Sequence, residues 1–180
     1  MEQGTHTRTE IFSQPEAWAE ALDVVEKRKT ELSRIFSADY EQVLFTGCGS
    51  TYYLSLAAAA LFQEMTGQIA RAVPGGELLL NEPAALTGGR TLLVAISRSG
   101  STTETVRAVE QFKAQNRGPV IVITNYGDQP LAGLADLALV IEKGREQSVA
   151  QTRSFASMYV AAVAMSLLAG GREVEYQSLR

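Results

Sequence analysis

A buried strand followed by a hydroxyl-rich turn and a helix constrains this chain more than any other feature of its sequence. Residues 92–97 are apolar or small, and the run is long enough for a strand buried on both faces. Residues 97–102 then read Ser-Arg-Ser-Gly-Ser-Thr, and Val106, Val109 and Phe112 recur at helical spacing. This order predicts a strand that enters a helix through a turn rich in hydrogen-bond donors.

Such a turn is suited to hold a small anion. Backbone N–H groups left unpaired at a helix start point outward with the positive end of the helix dipole. The hydroxyls add donors, and Gly100 permits close approach of the backbone, so a phosphate fits there. The alternative is that Ser101 and Thr102 only cap the helix. The turn by itself leaves both interpretations open.

Strands alternate with helices through the middle of the chain. The predicted strands are residues 42–45, 69–73, 92–97, 120–124 and 137–141. This alternation predicts an α/β fold in which a five-stranded parallel sheet is flanked by helices, a three-layer sandwich. The first strand runs into a second Gly/Ser-rich turn, residues 47–51, which precedes a long helix. Because ligands of such sheets bind at the carboxyl ends of the strands, we expect the two turns to share one anion pocket.

The two ends of the chain are predicted to be helical apart from a short leader. Residues 1–12 are expected to form a flexible leader that carries His6, and residues 13–180 a single domain. One helix is predicted from Ser13 to about Phe36, and a last one over residues 152–168. The high Ala and Met content of the last helix suggests packing across a subunit interface.

Composition argues against several classes of partner. The net charge of −4, without a Lys/Arg cluster, argues against nucleic acid. The longest apolar run, residues 159–169, is too short for a membrane span, and no signal peptide is visible. The single cysteine, Cys48, excludes an intramolecular disulfide and fits a cytoplasmic protein. His6 is the only histidine, so no metal site is expected.

A dinucleotide cofactor is not expected either. Gly47 and Gly49 form a G-x-G pair, but the third glycine of the dinucleotide fingerprint would fall at Tyr52. The acidic residue expected about twenty positions further on is missing near residues 70–73. We therefore predict no cofactor.

Four stretches together resemble the sugar isomerase (SIS) domain family. They are Glu10-Ile11 with Gln14-Pro15, residues 47–52, residues 97–102, and residues 146–150 with Thr152-Arg153. The resemblance is to the first of the paired SIS domains in ketose–aldose isomerases, which include the isomerase portion of glucosamine-6-phosphate synthase, tagatose-type isomerases and fructosamine-phosphate deglycases. It implies a flavodoxin-like or Rossmann-like fold and a sugar-phosphate ligand.

The resemblance also implies two groups of site residues. Those expected to bind the phosphate are Ser97, Ser99, Thr102, Ser50 and Thr51. Those expected to line the sugar are Cys48, Gly49, Arg98 and Val149. An arginine between two turn serines usually points to solvent, so direct phosphate contact by Arg98 is not the expectation.

The catalytic residues are less clear from the resemblance. Aldose–ketose isomerisation needs a base to move a proton between adjacent carbons. In the paired-domain enzymes the glutamate base and the ring-opening histidine belong to the second SIS half, and this chain ends at Arg180, before such a half would begin. Glu146 is the candidate base near the predicted pocket, although it matches a first-half motif. Arg153 stands where many relatives carry lysine.

Three functions stay open at this point. The first is a sugar-phosphate-binding domain of a ketose–aldose isomerase or an aminosugar-phosphate deaminase or deglycase, with the base supplied from elsewhere. The second is a non-catalytic sugar-phosphate sensor. The third is a complete single-domain isomerase, assembled as a tetramer with the active site between chains and with Glu146 as its base. For the partner of this chain we otherwise expect a second copy in a homodimer or a second SIS domain.

Overall fold

The computed structural model describes residues 4–179 and contains a five-stranded, all-parallel sheet with helices on both faces. The strands are β1 (Gln42–Gly47), β2 (Ala70–Pro74), β3 (Thr91–Ser97), β4 (Val120–Thr124) and β5 (Leu137–Val140). Their order across the sheet is β2-β1-β3-β4-β5, and each neighbouring pair is parallel. The predicted fold class is confirmed.

The helices surround this sheet. In chain order they are α1 (Thr5–Phe12), α2 (Gln14–Lys27), α3 (Lys29–Phe36), α4 (Ser50–Thr66), α5 (Gly75–Leu80), α6 (Glu82–Ala85), α7 (Thr103–Ala114), α8 (Pro130–Leu134), α9 (Arg153–Ala169) and α10 (Glu173–Ser178). A 3-10 turn over Glu142–Gly144 follows β5. Across residues 4–179, no helix has both the length and the apolar character needed to cross a bilayer.

Two hydrophobic cores lie on opposite faces of the sheet because successive side chains of a strand point to opposite sides. In β3, Leu92, Val94 and Ile96 join the core that packs against α2, α4 and α9. Leu93 and Ala95 alternate with them and join the core beneath α5, α7 and α8. All seven residues of β3 are buried, as expected for the central strand of a sheet covered on both sides.

The amino-terminal region differs from the prediction in two ways. Residues 5–12, assigned to a flexible leader, form helix α1, and Glu10 on this helix is buried; residues 1–3 of that leader lie outside the described residues. The single helix predicted over residues 13–36 is divided into α2 and α3. The Arg28 N–H donates to Val25 O at 3.2 Å, a 3-10-type hydrogen bond that interrupts the helical pattern at this residue.

The carboxyl-terminal region adds a helix that the sequence pattern did not indicate. Helix α10 is only six residues long, too short for helical periodicity to show in the sequence. Tyr176 holds it in place, because this residue is fully buried in the core under α9. The Lys29 ammonium lies over the Tyr176 ring, 5.6 Å from the ring centroid, in a cation–π contact. The predicted strand boundaries agree with the structure to within two residues.

Candidate functional site

The two hydroxyl-rich turns lie side by side at the carboxyl edge of the sheet. Strands β1 and β3 are neighbours, with Thr46 paired to Ala95, so the 47–51 turn and the 97–102 turn leave the sheet together. The chain moves from β1 outward to β2, and then returns to the other side of β1 as β3. The connectivity therefore reverses between these two strands, which is where open α/β sheets bind their ligands.

The 97–102 turn is held by hydrogen bonds among its own residues. Ser97 Oγ accepts from the Gly100 N–H at 3.2 Å, and Ser99 Oγ accepts from the Ser101 N–H at 3.3 Å. The Thr102 hydroxyl lies 3.5 Å from each of these two serine oxygens. Three hydroxyl groups thus converge on one small space.

The same three hydroxyls stand in front of helix α7. Thr102 is the N-cap residue, but its side chain makes no capping hydrogen bond. The first N–H groups of a helix have no partner within the helix, and they carry the positive end of the dipole. Hydroxyl donors and these N–H groups together form a cradle for an anion.

The 97–102 turn also has an obligatory glycine. Gly100 has φ +65°, a backbone conformation that L side chains resist. A Cβ at this position would lie 2.9 Å from Gln129 Cβ and 3.2 Å from Tyr126 O. The Gly100 carbonyl accepts from the Leu131 N–H at 3.0 Å, which ties the turn to α8. The turn is therefore a rigid part of the fold.

The 47–51 turn uses its threonine differently. Thr51 Oγ1 donates to Cys48 O at 2.9 Å and accepts from the Cys48 N–H at 3.1 Å. Its only hydrogen is thus committed to the turn itself, so Thr51, predicted to bind phosphate, has no donor left for a ligand. Ser50 is exposed at the start of α4, behind Gly49, which has φ +59°. Of the two predicted hydroxyls here, Ser50 is the accessible one.

Cys48 joins the two turns. The Thr105 hydroxyl of α7 donates to Cys48 Sγ at 3.4 Å. Gly75, the first residue of α5, packs so closely that a Cβ there would lie 2.9 Å from the same sulfur. Cys48 is a half-buried free thiol between three helix starts, so its placement fits the predicted role as a pocket wall.

Arg98 reaches the loop of residues 146–150 instead of pointing into solvent. Its side chain is 29% exposed, and Nη1 lies 3.9 Å from Glu146 Oε2. The same nitrogen donates to Val149 O at 3.2 Å and to Ser148 O at 3.4 Å. The predicted sugar-lining residues Arg98 and Val149 are therefore in contact, and the Val149 side chain is 93% exposed at the edge of this loop.

Glu146, the candidate base, is embedded in hydrogen bonds. Its side chain has no exposed surface. Oε1 accepts from the Thr152 N–H at 2.7 Å and from Thr152 Oγ1 at 2.5 Å, while Oε2 accepts from Ser154 Oγ. A general base needs a lone pair directed at the substrate. The contacts of Glu146 instead join the 146–150 loop to the start of α9.

Glu10 is a site-associated residue to which the sequence analysis gave no role. It stands in the first of the four matched stretches, but its contacts are with residues more than 130 positions away, which no local pattern reveals. Burial raises the pKa of Glu10, and hydrogen bonds from the Ser148 hydroxyl and from the Gln147 and Ser148 N–H groups, with the charge of Arg153, outweigh this and lower the pKa overall. A cavity of about 250 Å³ beside it is lined by His6, Thr9, Glu10, Gln147 and Arg153.

A second cavity lies away from both turns. Its volume is about 1010 Å³, and it opens at the amino edge of the sheet between residues 88–90 and 115–119, with Asp136. Arg117 and Asp136 there are paired with Glu82 and Lys113 respectively, and the Arg90 guanidinium lies over the Tyr40 ring at 5.1 Å. Among residues 4–179, no group of three or more His, Cys, Asp or Glu side chains could hold a metal ion.

Comparisons with known proteins identify the family. Residues 36–168 match the SIS domain. The chain is 28% identical over 163 residues to the glutamine–fructose-6-phosphate aminotransferase (isomerizing) of Aeropyrum pernix, a match that covers 90% of this chain and 26% of that protein. This chain thus spans about a quarter of the length of the curated relatives that it matches.

Solved structures with the same fold also include sugar-phosphate enzymes. The tagatose-6-phosphate ketose/aldose isomerase of Escherichia coli superposes with a TM-score of 0.82 at 26% identity, over 90% of this chain and 47% of that one. The glucosamine-6-phosphate deaminase of Thermotoga maritima superposes with a TM-score of 0.76 at 28% identity, over 97% of this chain and 52% of that one. Since the match to the family covers most of its length, this chain belongs to the SIS domain family.

Proposed function

We propose that this chain binds a sugar phosphate, with the phosphate on the 97–102 turn and the sugar extending toward the 146–150 loop. The observation that carries this proposal is the convergence of the Ser97, Ser99 and Thr102 hydroxyls in front of the α7 N-terminus. Several neutral donors and a helix dipole can replace the hydration of a phosphate dianion without a permanent ion pair. Ser50 is the accessible hydroxyl on the facing turn.

The names of the relatives narrow the ligand to one chemical class. They refer to fructose 6-phosphate, tagatose 6-phosphate and glucosamine 6-phosphate. We infer that the ligand is a hexose or hexosamine phosphate. The chain would then be the phosphate-binding domain of an enzyme. That enzyme would be a ketose–aldose isomerase or an aminosugar-phosphate deaminase or deglycase. Its free thiol at Cys48 is compatible with a reducing compartment, and we place the protein in the cytoplasm.

We further propose that the catalytic base comes from a second SIS domain, either another copy of this chain or a covalently linked half. The hydrogen bonds from Thr152 and Ser154 to Glu146 favour a structural role for that carboxylate. The isolated domain should therefore bind its ligand with weak or absent turnover.

An apolar stripe on α4 supports this pairing. Tyr53, Leu56, Ala57 and Ala60 are exposed and recur at the spacing of one helix face. The stripe begins three residues beyond Ser50, beside the proposed ligand site. A partner domain seated on it would reach that site, and sedimentation velocity of the protein with and without ligand measures this association. A protein that stayed monomeric at high concentration would contradict pairing with a second copy.

A non-catalytic sensor is the alternative function, and the same buried Glu146 favours it. The two functions differ in turnover rather than in binding. Mixing this chain with a cognate second SIS domain should give measurable ketose–aldose conversion if the chain is half of an isomerase. A sensor would bind the same sugar phosphate, and no partner domain would add turnover.

Ligand binding is tested by thermal unfolding and calorimetric titration with fructose 6-phosphate and glucosamine 6-phosphate. A ligand that binds only the folded state raises the midpoint, and at about 100 times Kd the stabilisation is about 2.7 kcal/mol. Unphosphorylated fructose and glucosamine are the matched controls and should give no shift. Equal shifts with both sets, or none with either, would contradict a phosphate site on the 97–102 turn.

A further inference from the structure

Helix α1 holds the 146–150 loop from behind through one buried carboxylate. Glu10 is only 3% exposed. Its Oε1 accepts from the Gln147 N–H at 2.6 Å and from the Ser148 N–H at 3.2 Å, and its Oε2 accepts from Ser148 Oγ. The backbone donors at the centre of the loop are therefore bound by a residue from the start of the chain.

The 97–102 turn holds the same loop from the front. Arg98 Nη1 donates to the carbonyl oxygens of Ser148 and Val149. Glu10 thus binds the N–H groups of the loop while Arg98 binds its carbonyl groups. The Val149 side chain lies between these two sets of hydrogen bonds and is exposed at the edge of the proposed ligand site.

A second set of contacts fixes α1 itself. Arg153 Nη1 donates to Ser13 Oγ at 2.8 Å, at the junction of α1 and α2, and its Nε donates to Arg145 O at 2.9 Å, just before the loop. Removal of a carboxylate from water is costly unless hydrogen bonds replace the lost hydration. Glu10 has those bonds, and they all come from the segment that faces the ligand site.

We propose that Glu10 is a positioning residue for the sugar portion of the ligand. It sets the 146–150 loop at the separation from the 97–102 turn that a bound phosphosugar spans. This inference rests on the proposed function. The competing explanation is that Glu10 only anchors α1, in which case its loss would weaken the fold without distinguishing one ligand from another.

Two probes separate these explanations: fructose 6-phosphate, which needs both the turn and the loop, and inorganic phosphate, which needs the turn alone. In Glu10→Ala, we expect the affinity for fructose 6-phosphate to fall about tenfold or more, because preorganisation of the loop is lost. The affinity for inorganic phosphate should stay within about twofold, since the hydrogen bonds of the Glu10 carboxylate are to the 146–150 loop and not to the 97–102 turn. Glu10→Gln keeps an oxygen acceptor for the two N–H groups and should recover much of the loss.

Glu16→Ala, which removes an exposed carboxylate from α2, is the matched control and should change neither affinity. If Glu10→Ala does not fold, Ser148→Ala removes one of the three donors without touching α1, and the same selective loss is expected. Equal losses for both probes, or no loss for either, would overturn the proposal. Wild-type protein that bound neither probe would overturn the proposed function and this inference with it.

Hydrogen exchange adds a measurement that does not depend on ligand. In Glu10→Ala the amides of Gln147 and Ser148 should exchange faster, while those of β3 stay protected. Unchanged exchange at these two amides would show that the loop is held without Glu10 and would also overturn the proposal.

Discussion

The 47–51 turn and the 97–102 turn look alike in sequence, yet the structure uses their hydroxyls in opposite ways. Each turn follows a buried strand, carries a glycine with positive φ, and leads into a helix of twelve or more residues. Thr51 directs its hydroxyl back to the Cys48 backbone, whereas Thr102 leaves its hydroxyl beside those of two serines. The Thr51 hydroxyl is thus used within its own turn, whereas the Thr102 hydroxyl belongs to the proposed phosphate site.

The difference follows from how tightly each turn is packed. A Cβ at Gly47 would lie 2.8 Å from the backbone and the hydroxyl of Thr51, so β1 and the start of α4 are in direct contact. In the 97–102 turn, the close packing is around Gly100, on the side of Gln129 and Tyr126. The proposed phosphate site lies at the hydroxyl groups of that turn. Two turns of similar sequence can therefore differ in how their threonine hydroxyls are used.

The double variant Ser97→Ala, Thr102→Val breaks the open turn and should have the largest effect on ligand. Each lost hydrogen bond to a charged group costs about 1.5–3 kcal/mol. We expect the Kd for fructose 6-phosphate to rise about 100-fold or more, measured by calorimetric titration. Ser101→Ala, which alters an exposed hydroxyl of the same turn, is the control and should change the Kd by less than about twofold. An unchanged Kd in the double variant would place the phosphate elsewhere.

Gly100→Ala and Gly49→Ala compare the two positive-φ glycines directly. Both substitutions force an alanine to a positive φ, a sparsely populated backbone conformation that costs about 1–3 kcal/mol. The new Cβ at Gly100 also meets Gln129 Cβ at 2.9 Å, while at Gly49 it meets nothing within 4 Å. Gly100→Ala should therefore lower the free energy of unfolding by more than Gly49→Ala does, as measured by urea denaturation. The reverse order would show that the 97–102 turn can relax around a side chain.

Thr51→Val tests whether the threonine of the 47–51 turn stabilises the fold without contacting the ligand. It removes the hydroxyl that binds both Cys48 backbone groups while keeping the shape of the side chain. We expect a loss of about 1–3 kcal/mol in the free energy of unfolding, because a half-buried donor and acceptor lose their partner. The Kd for fructose 6-phosphate, measured well below the unfolding midpoint, should change by less than about threefold. A large loss of affinity with unchanged stability would show that Thr51 binds the phosphate, as the family resemblance implies.

The sheet was predictable because its determinants are local. Apolar runs of four to seven residues are separated by glycine, proline and hydroxyl-rich turns, so each strand of the sheet can be located from its own residues. The position of both turns at the carboxyl edge also follows, because all strands of a parallel sheet end there. The helices α1, α6 and α10 and the break at Arg28 between α2 and α3 are not indicated by this pattern.

The use of each site residue was not predictable, because it depends on contacts between distant segments. Arg98 was expected to point to solvent, and it instead binds carbonyl groups fifty residues further along the chain. Glu10 lies in a polar stretch typical of a leader, and only the fold shows that it is buried against Ser148. Whether a threonine such as Thr51 faces its own backbone or a ligand is likewise decided by packing, which a turn motif does not specify.

The pH dependence of stability tests the contact between Glu10 and the 146–150 loop, and it is the smallest effect that we expect. The pKa of Glu10 is lowered in the folded protein: burial raises it, but the bonds from Ser148 and Gln147 and the charge of Arg153 outweigh burial. A lowered pKa means that Glu10 stabilises the fold fully above its unfolded value, about 4.3, and that this contribution is lost as the pH falls through the folded pKa.

The difference in unfolding free energy between wild type and Glu10→Gln should therefore shrink as the pH is lowered from neutral into the acid range, since glutamine does not titrate. Glu173→Gln is the matched control, because hydrogen bonds from Lys29 and Gln177 also lower the pKa of Glu173, but at an exposed site. Salt at about 1 M should suppress the Glu173 difference, where the Debye length is about 3 Å, and leave most of the buried Glu10 difference in place. If salt removed both differences equally, Glu10 would behave as a surface contact and would not be the buried anchor of the 146–150 loop.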